Sequence, residues 1–145
     1  LFAEAVREGR LEGFGPTCSI TPEYPYGRSR FDFRLDCGGI SCLVEVKGCT
    51  LVTGGVALFP DAPTSRGARH VGELSEAAAA GWRACAVFVV KHPAAREFRP
   101  HEVTDPLFAS ALRRAAAAGV DVLAYLAPWR GGKIRLERSL PVALA

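Results

Sequence analysis

Asp32, Glu45 and Lys47 are the residues of this sequence best suited to chemistry. Two carboxylates that face each other repel unless something offsets their charge. A hard divalent cation such as Mg²⁺ does so, because it binds carboxylate oxygens and keeps several waters. Lys47 is one of only three lysines among 18 basic residues, and its ammonium is a compact charge beside such a site. This set of residues suits the activation of water and the stabilisation of charge on phosphate.

A predicted β-hairpin brings these three residues together. Residues 30–36 (RFDFRLD) alternate strictly, which places two phenylalanines and a leucine on one face and the charged residues on the other. Residues 41–47 (SCLVEVK) form a second strand. The Gly-Gly pair between the strands suits a type I′ turn, whose two central residues need positive φ. Opposed residue numbers then sum to 77, so Asp32 faces Glu45.

The charged residues of the hairpin also fit a solvent-exposed sheet face that carries diagonal ion pairs. That face would consist of Arg30, Asp32, Arg34, Asp36, Glu45 and Lys47. A register slip of one residue would separate the facing pairs. Spacing alone favours this surface interpretation over a metal site.

Helices and further strands surround the hairpin. Helical spacing predicts a short helix over residues 1–10, and residues 14–27 look irregular with one short strand at 18–21. A helix is predicted over residues 65–80, with Thr64 or Ser65 as its N-cap, and another over residues 106–118. A further strand or hairpin is predicted at residues 50–59, and strands are predicted at 84–90, 120–126 and 133–137, with a loop over 92–104. This order predicts the α/β fold class, with a mixed β-sheet flanked by helices.

Length and composition predict one globular domain over residues 1–145. The chain is 49% apolar and 23% charged, which excludes a disordered or collagen-like protein. No apolar run approaches the roughly 18 residues of a membrane span, so we expect a soluble, cytoplasmic protein without a membrane partner. The net charge of +3 permits an anionic partner without requiring one.

The cysteines and the start of the chain lead to two further expectations. The five cysteines include no C-x-x-C pair, which argues against a zinc or redox site and predicts reduced thiols. The sequence begins at Leu1 and contains no methionine, so we expect a fragment or a processed product.

Four motifs resemble the sugar fermentation stimulation protein family. In chain order they are YGRSRFDF (26–33), LVEVKGCTL (43–51), FPDAPTSRGARHVGEL (59–74) and SLPVAL (139–144). The resemblance implies the family's C-terminal domain, with a PD-(D/E)XK restriction-endonuclease-like core. The site of that fold is an acidic residue on one strand and an E-x-K triplet on the next. It implies that Asp32 and Glu45 bind Mg²⁺ or Mn²⁺ and that Lys47 is the catalytic lysine.

The chain departs from the family at two points. Gly48 and Cys49 stand where the pattern has Ser-Val, which we expect to affect packing more than metal binding. The resemblance also implies an upstream OB-like nucleic-acid-binding domain, which this chain lacks.

The helix over residues 65–80 supplies further candidates. Arg66, Arg69, His70 and Glu73 recur at three- and four-residue spacing and are expected to share one face. Such a face is usually the wet side of an amphipathic helix. The family's T-x-R-G-x-x-H-x-x-E-L run implies instead that Arg66 and Arg69 hold phosphate and that His70 lies near the water on the metal.

Other charged residues are candidates at the edge of the site. Arg28 and Arg30 suit phosphate contacts, which position DNA without reading its sequence. An additional acid is expected from Glu4 or Glu8 in the opening helix or from Asp61 in the FPDA turn. The alternatives are a solvated helix charge for either glutamate and a turn cap for Asp61.

Together these features predict a divalent-metal-dependent nuclease domain that hydrolyses phosphodiester bonds, with the phosphate backbone of DNA as its partner. The alternative is a DNA-binding regulator of sugar metabolism that keeps the nuclease scaffold without catalysis. The family's description as DNA-binding motivates this second hypothesis.

Overall fold

A computed structural model describes residues 1–11 and 13–145. Its elements in chain order are α1 (Phe2–Arg7), β1 (Ser19–Tyr26), β2 (Ser29–Cys37), β3 (Ile40–Cys49), β4 (Val52–Thr53), β5 (Val56–Phe59), α2 (Ser65–Ala79), β6 (Arg83–Val90), β7 (Glu97–Pro100), α3 (Pro106–Ala117), β8 (Asp121–Leu126), β9 (Trp129–Arg130), β10 (Lys133–Ile134) and β11 (Arg138–Leu140).

The main sheet of the described chain has the strand order β1-β2-β3-β6-β8-β11. Strands β3, β6 and β8 run parallel, whereas β1, β2 and β11 pair antiparallel with their neighbours. Two small sheets, β4-β5-β7 and β9-β10, lie outside it. The predicted α/β class with a mixed sheet flanked by helices is confirmed.

Two hydrophobic clusters cover the two faces of the sheet. The cluster under α2 and α3 includes Leu74, Phe88 and Phe108. The cluster on the opposite face includes Phe2 and Val6 of α1. Strand β6 is buried on both faces, as its continuous apolar run predicts.

Side-chain caps begin both long helices. Thr64 Oγ1 accepts a hydrogen bond from Gly67 N at 2.9 Å, and Asp105 Oδ1 accepts one from Phe108 N at 2.9 Å. These caps satisfy backbone donors that have no partner within the helix. Both predicted helices are confirmed, each ending one residue earlier than expected.

The hairpin register is confirmed. Phe33 pairs with Val44 and Asp36 with Ser41, so opposed residue numbers sum to 77. Gly38 and Gly39 have φ values of 57° and 84°, as the two-residue turn requires.

The predicted common face for the apolar residues of β2 is wrong at Phe31. Phe31 packs in the cluster under α2, whereas Leu35 packs in the cluster on the other side. The β1–β2 register is the same on both sides of this point. Between the pairs Pro22–Phe33 and Tyr24–Phe31, however, the side chains of both strands switch from one face of the sheet to the other. Glu23, which lies between Pro22 and Tyr24, has φ +52°, so the regular alternation is interrupted there.

Two other predicted strands and one predicted loop differ from the structure. Strand β1 is longer than residues 18–21, because an edge strand tolerates Pro22 and Pro25 without a full set of ladder hydrogen bonds. Strand β7 lies within the predicted loop at 92–104, where it pairs with β5. The predicted strand at 133–137 is replaced by β10, which pairs with β9, and by β11 at the sheet edge.

The prediction that all five cysteines are reduced is wrong. Cys18 and Cys37 form a disulfide with a Cα–Cα distance of 4.4 Å. They continue the β1–β2 register one step beyond the pair Ser19–Asp36, which brings their side chains together. Cys42, Cys49 and Cys85 are buried free thiols.

Helices in the described part of the chain are too short or too polar to cross a membrane.

Candidate functional site

Asp32, Glu45 and Lys47 lie together beneath α2. The backbone N–H of Val46 donates a hydrogen bond of 2.7 Å to Asp32 Oδ2, which fixes the Asp32 carboxylate against β3 next to Glu45. Lys47 Nζ is 3.9 Å from Glu45 Oε1. The structure therefore brings together the two carboxylates and the lysine that the sequence predicts.

His70 of α2 closes this cluster from above. Its Nδ1 atom is 3.1 Å from Lys47 Nζ and 3.3 Å from Glu45 Oε2, and the residue is only 3% exposed. Burial lowers the pKa of His70 to about 4, and the charges of Lys47, Arg66 and Arg69 act in the same direction. The imidazole is therefore neutral at neutral pH, so its Nδ1 accepts a hydrogen bond from the Lys47 ammonium.

Glu45 is a buried acid next to a second acid. Its pKa is raised to about 8, mainly by burial and also by the hydrogen bond and charge of Asp32, whereas the charge of Lys47 acts in the opposite direction. Among the described residues, Glu45 Oε2 is a buried oxygen without a hydrogen-bond partner. The acidic pair is therefore short of positive charge, which either a proton or a cation can supply.

The donor set of Asp32 and Glu45 fits a hard divalent cation. Mg²⁺ binds proteins through one or two carboxylates and keeps several waters. Within residues 1–11 and 13–145, no three His, Cys, Asp or Glu residues are grouped as metal ligands. Water and substrate oxygens would have to complete the coordination of such an ion.

The four residues predicted to share one face of α2 differ in burial. Arg66 and Arg69 are exposed, whereas His70 and Glu73 are buried. The helix packs on the sheet through a side that also includes Val71 and Leu74, and His70 and Glu73 lie on that side. The two arginines remain at the rim of the cluster, where their charges act on His70.

The turn between β1 and β2 presents Arg28 next to α2. Arg28 and Arg69 line one cavity of about 570 Å³, together with Gly27, Gly72, Glu73 and Glu76. Arg30 is also exposed, near the start of β2. Arg28 therefore lies in the turn before the strand that carries Asp32, and Arg30 lies on that strand.

The sequence interpretation missed the internal position of Glu73. Glu73 is 8% exposed and accepts a hydrogen bond of 2.9 Å from Ser29 Oγ. Its place in the T-x-R-G-x-x-H-x-x-E-L run, three residues after His70, was the available signal. Residues three apart on a helix are neighbours, so a buried His70 places Glu73 next to the same sheet.

The candidates for an additional acid lie elsewhere. Glu8 is held by Arg10 at 2.6 Å and Arg135 at 3.5 Å, and α1 packs on the opposite face of the sheet. Glu4 is exposed on the same helix.

Asp61 is exposed in the turn after Pro60. Its charge acts on the Cys49 thiol, whose pKa burial raises to about 11. The structure therefore places Asp61 close enough to the end of β3 for its charge to act on Cys49.

Residues 1–132 match the family model described as the sugar fermentation stimulation protein RE domain. Three similar relatives are each described as a sugar fermentation stimulation protein homolog. The Moorella thermoacetica protein is 51% identical over 126 residues, covering 86% of this chain and 54% of its own length. The Desulforamulus reducens protein is 38% identical, covering 99% and 60%. The Symbiobacterium thermophilum protein is 42% identical, covering 100% and 60%.

A solved structure is also similar to this chain. It is described as Pyrococcus furiosus SfsA in complex with Ca²⁺, and it superposes with a TM-score of 0.92 at 33% sequence identity. The match covers 98% of this chain and 62% of that one. The chain thus spans less than two thirds of the length of these relatives.

Proposed function

The chain belongs to the sugar fermentation stimulation protein family, and from this premise we propose that it is a divalent-metal-dependent nuclease domain acting on DNA. One observation carries the proposal: Asp32, Glu45 and Lys47 converge beneath α2, and the buried Glu45 carboxyl has an oxygen without a partner in the described chain. The Ca²⁺ named for the Pyrococcus furiosus relative supports a divalent cation at this site.

Asp32 and Glu45 are the residues that would hold Mg²⁺ or Mn²⁺. Such an ion supplies positive charge to the phosphate and makes water a stronger nucleophile at neutral pH. Asp32 is prepared for this role by its hydrogen bond from Val46 N, which fixes one carboxylate oxygen. Glu45 has to lose its proton, and the nearby Lys47 charge favours the ionised form.

Lys47 places an ammonium group beside the two carboxylates. Its side chain is 19% exposed, so the ammonium is mostly buried yet partly accessible. The neutral imidazole of His70 accepts one of its hydrogen bonds and leaves other donors free to orient water or contact a phosphate oxygen. A donor fixed in advance stabilises developing charge without the cost of reorganisation. In this account His70 is a positioning residue that acts through Lys47.

Four exposed arginines are suited to hold the DNA backbone. Arg66 and Arg69 lie in the first two turns of α2, Arg28 lies in the turn before β2, and Arg30 lies on β2. Contacts from arginine to phosphate position the duplex and make its affinity strongly dependent on salt. The charges of Arg66 and Arg69 act on His70, so a strand held by these two residues passes the carboxylate cluster.

A second candidate function is DNA binding without cleavage. It is favoured by the small set of metal donors, because among the described residues no third His, Cys, Asp or Glu is grouped with Asp32 and Glu45 as a metal ligand. Such a protein should bind duplex DNA equally in EDTA and in Mg²⁺. Cleavage is therefore the property that separates the two candidates.

The test is incubation of the protein with labelled single-stranded and duplex DNA in Mg²⁺, Mn²⁺ or EDTA. The wild type should cut DNA with either ion and not in EDTA, and Lys47→Ala should reduce cutting by on the order of 100-fold or more. Lys133→Ala, in the exposed β9–β10 hairpin, is the matched control and should cut normally. Binding without cutting under every condition would favour the second candidate, and normal cutting by Lys47→Ala would contradict the mechanism.

A further inference from the structure

Glu73 is a buried carboxylate that the cluster around Asp32 does not use. Its Oε1 atom accepts a hydrogen bond of 2.9 Å from Ser29 Oγ and lies 3.9 Å from Arg69 Nε. Within the described chain, its Oε2 atom is buried without a hydrogen-bond partner. Burying a carboxylate oxygen without a hydrogen-bond partner costs free energy of folding, so we expect Glu73 to have a role that offsets this cost.

The β1–β2 turn packs directly on this carboxylate. Gly27 has φ +60°, and a Cβ atom built at this position would lie 3.0 Å from Glu73 Oε2. An L side chain would therefore be strained by its backbone conformation and crowded by the carboxylate. Ser29, two residues later, supplies the hydroxyl that binds Oε1. The turn is thus attached to α2 by a hydrogen bond to one oxygen of Glu73, and Gly27 leaves room for the other oxygen.

This attachment sets the position of Arg28. Arg28 lies between the two residues that touch Glu73, and it lines the cavity of about 570 Å³ together with Arg69. Arg69 is on the same helix as Glu73, four residues earlier, and its side chain is 53% exposed. Two guanidinium groups from separate elements therefore border one cavity, and Glu73 is the side chain that joins those elements.

We propose that Glu73 is a positioning residue that fixes residues 27–29 against α2, so that Arg28 and Arg69 bind a single backbone phosphate of DNA together. The proposal rests on the proposed function, because it assigns a phosphate subsite beside the same carboxylate cluster. Two preorganised guanidinium groups suit one phosphate, since each offers several donors in a fixed plane.

The first test measures whether Glu73 holds the turn, and it requires no activity. Trypsin cleaves after Arg28 and Arg30 when the turn opens. Glu73→Ala should increase the rate of cleavage there by about tenfold, as expected for the loss of one buried hydrogen bond. Ser29→Ala removes the same hydrogen bond without altering the helix and should also accelerate cleavage. Glu76→Ala, an exposed residue bordering the same cavity, is the matched control and should leave the rate unchanged.

The second test measures the affinity for duplex DNA in EDTA. Glu73→Ala and Arg28→Ala should each weaken binding, and the double variant should bind about as well as Arg28→Ala alone, because both remove the same contact. Glu4→Ala changes an exposed glutamate of α1, on the opposite face of the sheet, and should bind like the wild type. Gln at position 73 keeps an acceptor for Ser29, so Glu73→Gln should restore most of the affinity lost in Glu73→Ala.

The outcomes separate this inference from the proposed function. Unchanged cleavage after Arg28 in both Glu73→Ala and Ser29→Ala would overturn the role of Glu73 in holding the turn. Additive losses of DNA affinity in the double variant would overturn its link to Arg28. A wild type that binds no DNA would contradict the proposed function and the phosphate subsite, while the trypsin rates would still decide whether Glu73 holds the turn.

Discussion

His70 Nδ1 lies 3.1 Å from Lys47 Nζ, so a residue of α2 holds the ammonium group of a residue on β3. The contact joins the helix that follows β5 to the strand that carries Glu45. Because burial and three nearby positive charges lower the pKa of His70 to about 4, the imidazole acts as a neutral acceptor. In the proposed nuclease, the role of His70 is to position Lys47.

Removing the His70 acceptor should lower the catalytic rate without weakening DNA binding. We expect His70→Ala to reduce kcat by on the order of 100-fold with little change in KM, because the Lys47 ammonium loses its fixed position. His70→Gln keeps a neutral acceptor and should recover part of the rate. Above about pH 5 the pH–rate profile should keep the wild-type shape in both variants, since His70 does not titrate there.

The control for this series is His92→Ala, which alters a histidine of the loop after β6. It should leave kcat unchanged. A loss of DNA affinity in His70→Ala, or a pH–rate profile that loses a step near neutral pH, would show that His70 does more than position Lys47.

Glu45 should make the stability of the metal-free protein depend on pH. Its pKa of about 8 in the folded state exceeds the ordinary carboxyl value of 4.5, so the folded state binds the proton more tightly than the unfolded state. This stability is complete below about pH 4.5 and is lost as the pH rises towards about 8. Glu45→Gln is neutral at every pH. In EDTA its free energy of unfolding, relative to wild type, should therefore rise between about pH 5 and about pH 8.

Chemical denaturation at several pH values measures this difference. Glu76→Gln, which changes an exposed glutamate of α2, should differ from wild type by the same amount at each pH. A Glu45→Gln difference that stays constant over this range would mean that Glu45 is already ionised in the folded protein.

The hairpin register and both long helices were predictable from local signals. Apolar and polar residues alternate on both sides of Gly38 and Gly39, and this alternation specifies the β2–β3 pairing. Thr64 and Asp105 are residue types that commonly cap the N-terminus of a helix. That register predicts Asp32 next to Glu45. In the structure the hydrogen bond from Val46 N to Asp32 Oδ2 holds it there, beyond the last ladder pair, Phe33–Val44.

The remaining features depend on contacts that no local pattern contains. Regular alternation predicts one face for Phe31 and Leu35, but the positive φ of Glu23 accompanies a change of face in both strands. Helix α2 presents polar residues to a strand that carries charged side chains, so its sequence pattern is that of a solvent-exposed helix. For this reason the pattern does not predict the burial of His70 and Glu73. The disulfide required the full length of β1, which its prolines obscured.

The disulfide between Cys18 and Cys37 should stabilise the fold. It links residues 19 apart in the sequence, and constraint of a loop of this size contributes up to about 3 kcal/mol. Thermal unfolding should therefore show a lower Tm in the presence of a reductant. The Cys18→Ser/Cys37→Ser double variant should unfold at the reduced Tm and should not respond to the reductant. Equal Tm values for the wild type with and without reductant would indicate that the thiols are free.

Arg66 and Arg69 should contribute to the electrostatic part of DNA affinity. Each phosphate contact that is lost lowers the slope of log affinity against log salt by about 0.9. We expect Arg66→Ala and Arg69→Ala each to reduce the slope by about 0.9, the value for one phosphate contact. Titration of labelled duplex in EDTA at several salt concentrations measures it.

Arg114→Ala is the control for these slopes, because Arg114 is exposed on α3 and contacts Ser110 of its own helix. Its slope should match that of the wild type. If Arg66→Ala and Arg69→Ala also keep the wild-type slope, the DNA backbone does not pass the N-terminal part of α2.

Binding of Mn²⁺, followed by electron paramagnetic resonance, tests most directly the central claim that Asp32 and Glu45 jointly hold a divalent cation. The wild type should bind one Mn²⁺ ion, and Asp32→Asn and Glu45→Gln should each abolish that binding. Asp36→Asn changes an aspartate of the same strand that is paired with Arg34, and it should bind Mn²⁺ like the wild type. Wild-type binding in both Asp32→Asn and Glu45→Gln, or no bound ion in the wild type, would contradict the claim.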